Sequence, residues 1–168
     1  DSLRYMHPDS IPHNHELVFR TLHNGRKIYG GGGITPDVYI NTDSIQLSQP
    51  LVKAYADGIF ERSIIEYCDR ISTETLHQSY PTVDSFNTEY DVEAELLDIF
   101  YSLAGYQWEC ITAIDRSFIQ TLLMATLAEQ LYGKDARHYV YAIRFDDMVQ
   151  HALEIADDHV LQKRILGY

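Results

Sequence analysis

The sequence predicts a mainly α-helical protein in which a helical bundle is preceded by a short β/loop segment. Residues 1–47 are rich in His, Pro, Gly and Asn, and their apolar residues come in short groups, as in strands. From residue 48 onward, apolar residues recur at helical spacing. Hydrophobic types make up 45% and charged types 23% of the 168 residues, which is typical of a chain with a folded core. We therefore predict a strand and loop segment over residues 1–47 and a helical domain over residues 48–168.

Three short strands are predicted in the first segment. Two of them cover residues 16–22 and 27–29, and the Asn24-Gly25 pair between them favours a tight hairpin turn, because both residue types tolerate positive φ. A third candidate strand covers residues 37–41. Three short strands cannot bury both of their faces, so we expect this segment to complete a sheet supplied by upstream sequence.

Successive amphipathic helices are predicted in the second segment. A long helix begins at Ser48, which can cap it, and runs to Ile71. Pro50 fits in its first turn, because the N–H that proline lacks would have no partner there. Further helices are predicted at residues 82–86, from residue 91 to a stop at Gly105, from a Thr112–Asp115 capping box to Gly133, at residues 136–143 and at residues 148–156.

The charge balance excludes two classes of partner. Acidic residues outnumber basic ones by 25 to 13, and the formal net charge of −12 repels phosphate backbones and anionic lipid surfaces. We therefore predict no nucleic-acid partner and no binding at a membrane surface. No apolar run approaches the roughly 20 residues that a helix needs to span a bilayer. Because the chain begins at Asp1 rather than at Met, we expect it to be part of a longer polypeptide.

The glycine run Gly30–Gly33 is the most specific local feature. A run of glycines permits close backbone approach but loses much conformational freedom on folding, so its surroundings must compensate. A phosphate-binding Walker loop needs Lys followed by Ser or Thr after its last glycine, whereas Ile34-Thr35 follows here. A dinucleotide fingerprint also fails, since Thr35 or Pro36 stands where its third glycine belongs. We therefore interpret the run as a strand that passes tightly beside another element.

Other reactive residue types lack the neighbours that their chemistry needs. His13 and His15 can share one face of a strand and bind a metal ion, but the sequence has no HExxH motif, and solvated histidines are favoured. No Gly-x-Ser-x-Gly elbow is present. Cys68 and Cys110 are interpreted as buried free thiols rather than a bridge. His138 and His151 lie on predicted helices and are interpreted as surface or hydrogen-bonded core residues. The acidic pairs Asp146-Asp147 and Asp157-Asp158 lie at helix ends, where capping or solvation is favoured over ion binding. We predict no catalytic residue, no metal site and no cofactor within the chain.

The stretch from Phe19 to Val38 carries a family resemblance. It combines an aromatic residue, a Thr, Gly-Arg, a Tyr, a glycine run and Ile-x-Pro-Asp. This combination resembles a signature of the C-terminal processing (tail-specific) serine peptidases, where it lies downstream of the catalytic residues. The residues that carry it are Gly25, Arg26, Tyr29, Gly30, Gly31, Gly32, Gly33, Ile34, Pro36 and Asp37. A looser resemblance to the helical tail of one branch of that family extends over residues 79–86, 125–133 and 147–153.

The resemblance implies a parent enzyme of which this chain is the non-catalytic C-terminal region. In that family a PDZ domain and an α/β core come first, and a Ser/Lys dyad cleaves proteins or peptides near their C-termini in the bacterial periplasm or envelope. Neither dyad residue matches a position here, so the chain is expected to be inactive alone. Residues 30–37 then correspond to a strand that completes the protease core. The implied partners are that core and PDZ domain, the peptide substrates, and further copies of the chain in a homo-oligomer.

Two other interpretations stay open. A stand-alone helical interaction module would use its apolar stripes as a groove for a partner helix. A metal-dependent hydrolase built on His13 and His15 would carry stoichiometric metal. The upstream gene sequence separates the first of these from the peptidase, because the peptidase requires a PDZ domain and a Ser/Lys core there.

Overall fold

The computed structural model describes residues 17–30, 45–105 and 111–166 of the chain. Helices make up 73% of the described residues and follow a short two-stranded antiparallel sheet, which confirms the predicted mainly α-helical class. The chain divides into two compact units, Asp1–Asp43 with Asp147–Tyr168, here named the hairpin unit, and Ser44–Asp146, here named the helical unit. The predicted boundary between residues 47 and 48 stays a prediction.

The described part of the helical unit contains seven helices. They are α1 (Gln49–Ala56), α2 (Ile59–Arg70), α3 (Thr73–Ser79), α4 (Val83–Glu89), α5 (Ala94–Ala104), α6 (Ala113–Tyr132) and α7 (Lys134–Phe145). The helix α3 is absent from the sequence prediction, because its seven residues bury Leu76 alone and therefore show no periodic stripe.

The core of the helical unit is centred on α6. This helix packs along α7 and against α2, and α2 in turn packs against α5. Every residue from Thr121 to Ala128 is buried, as expected for a helix that is covered on all sides. Phe60 of α2 and Phe100 of α5 are both fully buried, with ring centroids 4.7 Å apart. The core therefore joins elements that are distant in the chain.

The long first helix of the sequence prediction is wrong in one respect. It is interrupted after α1, where Gly58 adopts a left-handed conformation (φ +68°) and α2 begins at the next residue. The N–H of Asp57 bonds to the carbonyl of Lys53 at 2.9 Å, which closes the last turn of α1. The apolar stripe continues across this break, so periodicity alone does not reveal it. Pro50 lies in the first turn of α1, as predicted.

Several predicted helix ends are confirmed. Thr82 opens α4 with a capping box, in which its hydroxyl accepts the N–H of Ser85 and the hydroxyl of Ser85 accepts the N–H of Thr82. Gly105 ends α5 in the left-handed region (φ +69°). Gly133 follows the last residue of α6.

The described part of the hairpin unit contains a hairpin and two helices. The strands β1 (Val18–Arg20) and β2 (Lys27–Tyr29) pair antiparallel, with Phe19 opposite Ile28. The sequence prediction placed β1 within residues 16–22, so the observed strand is shorter.

The helices of the hairpin unit are α8 (Asp147–Asp157) and α9 (His159–Leu166), which pack against each other. The carboxylate of Asp158 accepts the N–H groups of Val160 at 3.0 Å and Leu161 at 2.9 Å, so this acidic residue caps α9.

Candidate functional site

The loop of the hairpin is built differently from the predicted two-residue turn. Gly25 adopts positive φ (+66°), but Asn24 does not, since no residue other than glycine does so in the described ranges. The N–H of Gly25 donates to the carbonyl of Thr21 at 3.1 Å, and the N–H of Thr21 donates to the carbonyl of Arg26 at 3.0 Å. The hydroxyl of Thr21 accepts the N–H of Arg26 at 3.0 Å. This side-chain bond stabilises a wider loop, which corrects the tight Asn-Gly turn.

One face of the hairpin is apolar and exposed. Successive strand residues point to opposite faces, so the opposed pair Phe19 and Ile28 shares one face, while the pairs Val18–Tyr29 and Arg20–Lys27 lie on the other. The side chain of Phe19 is 55% exposed and that of Ile28 is 40% exposed. A ribbon of two strands is marginal by itself, so an apolar face of this kind favours packing on a larger partner.

Gly30 is closely approached by the ring of Phe19. A Cβ added to Gly30 would lie 2.7 Å from Cε2 of Phe19, so any larger residue requires that ring to move. The N–H of Gly30 also donates to the carbonyl of Leu17 at 2.8 Å. The first residue of the glycine run therefore lies against an aromatic side chain of its own hairpin.

The other signature residues fall outside the described ranges. They are Gly31, Gly32, Gly33, Ile34, Pro36 and Asp37, and the candidate third strand at residues 37–41 lies there too. His13, His15 and Cys110 are also outside the described residues.

The described residue types with possible chemistry are dispersed. Cys68 is a free, half-buried thiol whose pKa is raised by burial, which disfavours the reactive thiolate. His138 and His151 are exposed on α7 and α8, and Nδ1 of His151 lies 2.8 Å from the carbonyl of Asp147. Within residues 17–30, 45–105 and 111–166, no group of three or more His, Cys, Asp or Glu side chains could hold a metal ion. None of the helices searched in these ranges is long and apolar enough to cross a bilayer.

Two buried polar arrangements hold the helical unit together. The hydroxyls of Tyr67 and Tyr90 lie 3.4 Å apart in the core, and burial raises the pKa of Tyr67 and raises that of Tyr90 to about 12. Both phenols are therefore neutral at physiological pH.

The second arrangement is the carboxylate of Asp115, which is 2% exposed. Its Oδ1 accepts the N–H of Ser48 at 3.0 Å, and the N–H of Asp115 donates to the hydroxyl of Thr112 at 3.0 Å. Burial alone raises the pKa of Asp115, but the bonds to Ser48 and Thr112 outweigh it and hold that pKa below its ordinary value. The Thr112 half of the predicted capping box is therefore observed, and the Asp115 carboxylate also bonds to Ser48, the residue before α1.

A polar cleft of about 320 Å³ opens in the helical unit beside α6. Its walls are formed by Asp91, Val92, Ser117, Gln120, Thr121, Met124 and Arg144, and we name it the Arg144 cleft. Ser117, Gln120, Thr121 and Met124 follow one face of α6, at the spacing of successive helical turns. Asp91 follows α4, and Arg144 lies near the end of α7. Three elements therefore converge on this cleft.

The guanidinium of Arg144 is held in a fixed orientation. Its Nε donates to Oδ1 of Asn87 at 2.9 Å, and its Nη2 donates to the backbone carbonyl of Asn87. Both acceptors are neutral. Among the described residues, Arg144 forms no ion pair with a carboxylate, whereas Arg137 pairs with both Glu61 and Glu129. The cation at this half-buried site therefore lacks an anion among the described side chains.

Comparison with known proteins gives one match. Residues 51–133 match the model of a family of unknown function (DUF8443), so this part of the chain, from the first turn of α1 to the residue after α6, is similar to that family. The matched residues include neither Arg144 nor the stretch from Phe19 to Val38. No curated protein and no solved structure matches the chain.

The Arg144 cleft and the bond from Ser48 to Asp115 are the features that the sequence prediction missed. Ser117, Gln120 and Thr121 recur at helical spacing along α6, which is a signal that a polar cleft borders this helix. Arg144 is contributed by another helix, so its convergence with these residues requires the tertiary structure.

Proposed function

We propose that the chain is the non-catalytic C-terminal region of a C-terminal processing serine peptidase of the bacterial periplasm or envelope. In this proposal the hairpin docks on the protease core, and the helical unit supports folding, assembly or substrate access. The parent's Ser/Lys dyad lies in upstream sequence. The PDZ domain and protease core of the same polypeptide are then its partners, together with peptide substrates and further copies of the chain.

The observation that carries the proposal is an exposed apolar face on a hairpin that contains four residues of the signature. Phe19 and Ile28 present this face, and Gly25, Arg26, Tyr29 and Gly30 of the signature lie in the same hairpin. Burial of apolar side chains stabilises by about 25 cal/mol per Å² of area removed from water, so docking on a larger body is favourable. A two-stranded ribbon that completes the sheet of another body is expected to have such an exposed apolar face.

The first test is the gene sequence upstream of Asp1. The proposal requires a PDZ domain followed by a core with a serine nucleophile and a lysine base. An upstream sequence without these two elements overturns it.

The second test uses the full-length protein with the double substitution Phe19→Glu and Ile28→Glu. Two carboxylates on the docking face should weaken its attachment to the core and lower peptide cleavage or thermal stability. Leu22→Glu is a control for an added charge, because Leu22 is 100% exposed and lies in the loop outside the paired strands. Cleavage and stability equal to the control argue against docking. Deletion of residues 48–168 tests the helical part, and unchanged stability, oligomeric state and cleavage would reject its role.

A second candidate function is a stand-alone helical interaction module. Val52 and Tyr55 favour it, because both are apolar side chains that are exposed on α1. Exposed apolar side chains spaced three apart on a helix suit a groove for a partner helix. This function and the peptidase differ in the upstream sequence, so the first test separates them.

A further inference from the structure

We propose that the Arg144 cleft binds a small zwitterion of the α-amino-acid type, with its carboxylate on Arg144 and its ammonium on Asp91. The inference stands on the geometry of the helical unit alone and does not depend on the proposed peptidase function.

The carboxylate position follows from the fixed guanidinium of Arg144. An arginine carries five N–H donors, and the bonds to the Oδ1 and carbonyl oxygens of Asn87 use one on Nε and one on Nη2. The other edge of the guanidinium is formed by Nη1 and the second N–H of Nη2, and no described residue is seen to accept a bond from it. A carboxylate fits this edge with two parallel bonds. Because the Asn87 bonds fix the plane, little side-chain entropy is lost on binding.

The charge of Arg144 favours an anion in the cleft. A half-buried cation without an anionic partner is unfavourable, and the described residues give Arg144 neutral acceptors only. The chain carries 13 basic and 25 acidic residues, so an arginine without an ion pair among the described residues is unexpected from composition. An external carboxylate would complete the pair.

The ammonium position follows from Asp91. Its carboxylate lines the same cleft and, within the described part of the chain, forms no ion pair with Arg144. Two opposite charges that line one cleft without pairing match a ligand that carries both charges. A simple anion would leave Asp91 as an unfavourable neighbour.

The remaining walls suit a short side chain with hydrogen-bonding capacity. The hydroxyls of Ser117 and Thr121 and the amide of Gln120 border the cleft on one face of α6. Thr121 is 7% exposed. Met124 and Val92 add apolar surface. A volume of about 320 Å³ is at the small end of ligand sites.

The test is a titration of the 168-residue chain, followed by calorimetry and by the NMR signal of the Met124 methyl group. Glycine, L-alanine and L-serine probe the zwitterion, acetate probes the carboxylate alone, and ethanolamine probes the ammonium alone. We expect saturable binding of the amino acids, with acetate and ethanolamine each at least about tenfold weaker, since each lacks one charge-assisted contact.

Variants test which residue binds the carboxylate of the ligand and which binds its ammonium group. Asp91→Asn should weaken L-alanine about tenfold and leave acetate equally tight or tighter, because it removes a negative charge beside the bound anion, and Arg144→Gln should abolish both interactions. Arg62→Gln on α2 is the control with the same charge change, and it should leave both affinities unchanged. Since Arg144 also holds Asn87, its variant is checked for helical content. Asp91 is exposed, so its variant tests the proposal even if Arg144→Gln unfolds.

Each other outcome overturns the proposal. If none of the amino acids gives a saturable shift, the cleft is not a binding site for them. Equal affinity for acetate and L-alanine would show that the ammonium group does not contribute to binding. An unchanged affinity of Asp91→Asn for L-alanine would show the same. Equal losses in Arg62→Gln and Arg144→Gln show that net charge, not the cleft, determines binding.

Discussion

The helical unit and the hairpin place their apolar side chains in opposite ways. In the helical unit Phe60, Phe86 and Phe100 are fully buried, whereas in the hairpin Leu22 is fully exposed and Phe19 is more than half exposed. Removal of apolar area from water is the main favourable term in folding. The helical unit therefore contains its own source of stability, while the hairpin relies on a short ladder, its loop bonds and a bond from the Asn24 amide to the carbonyl of Leu166 in α9. This difference predicts where a substitution changes global unfolding.

The largest expected effect is on the aromatic core. Phe100→Ala removes a fully buried ring that packs on Phe60, so we expect the free energy of unfolding of the helical unit to fall by about 3–5 kcal/mol. Urea unfolding followed by circular dichroism measures it. Leu22→Ala is the control in the hairpin and should change that value by less than about 0.5 kcal/mol. Comparable losses in both variants would contradict the contrast between the regions.

Sequence patterns predict the helical unit well because its signals are local. Thr82, Gly105 and Gly133 mark helix ends through short-range backbone chemistry, and the structure confirms them. The break at Gly58 escapes prediction because a left-handed glycine leaves the apolar stripe in phase.

The candidate sites are less predictable because they join distant residues. The hydrogen bond from Ser48 to Asp115 spans two helices, and so does the approach of Arg144 to Thr121. A sequence pattern identifies neighbours along one helix and gives no register between helices. The predicted turn of the hairpin is wrong for another reason. The side chain of Thr21 bonds to the loop backbone and competes with the tight turn that Asn24-Gly25 favours.

The second prediction concerns the buried carboxylate of Asp115. Its folded pKa is lowered, so the charged form contributes stability above the ordinary pKa of 3.8, and this contribution is lost as the pH falls through the folded value. Asp115→Asn should therefore cost about 1–3 kcal/mol at pH 7 and less at pH 2. Urea unfolding at both pH values measures the difference. A penalty that is unchanged at pH 2 would show that shape, rather than charge, is responsible.

The third prediction concerns the ion pairs of Arg137, which link α7 to α2 and α6. Its guanidinium lies 3.1 Å from Glu61 and 2.9 Å from Glu129. Arg137→Met keeps the apolar stem and removes both pairs, so we expect a loss of about 1 kcal/mol that shrinks in high salt. Lys53→Met, which removes the exposed i,i+4 pair with Asp57, is the control and should cost under about 0.5 kcal/mol. Equal losses at low and high salt would exclude an electrostatic origin.

The fourth prediction compares one substitution in the two regions. Gly25 and Gly105 have nearly the same left-handed backbone, with φ of +66° and +69°, and an added Cβ finds open space at both. Alanine should therefore cost about 1–2 kcal/mol of local strain at either position. Gly105→Ala should lower the unfolding free energy of the helical unit by this amount, because α5 belongs to its core. Gly25→Ala should leave that unfolding unchanged and instead speed amide hydrogen exchange at Thr21 and Arg26, whose N–H groups bond within the loop. Equal effects of the two variants on the helical unit would mean that the hairpin contributes to the same cooperative transition.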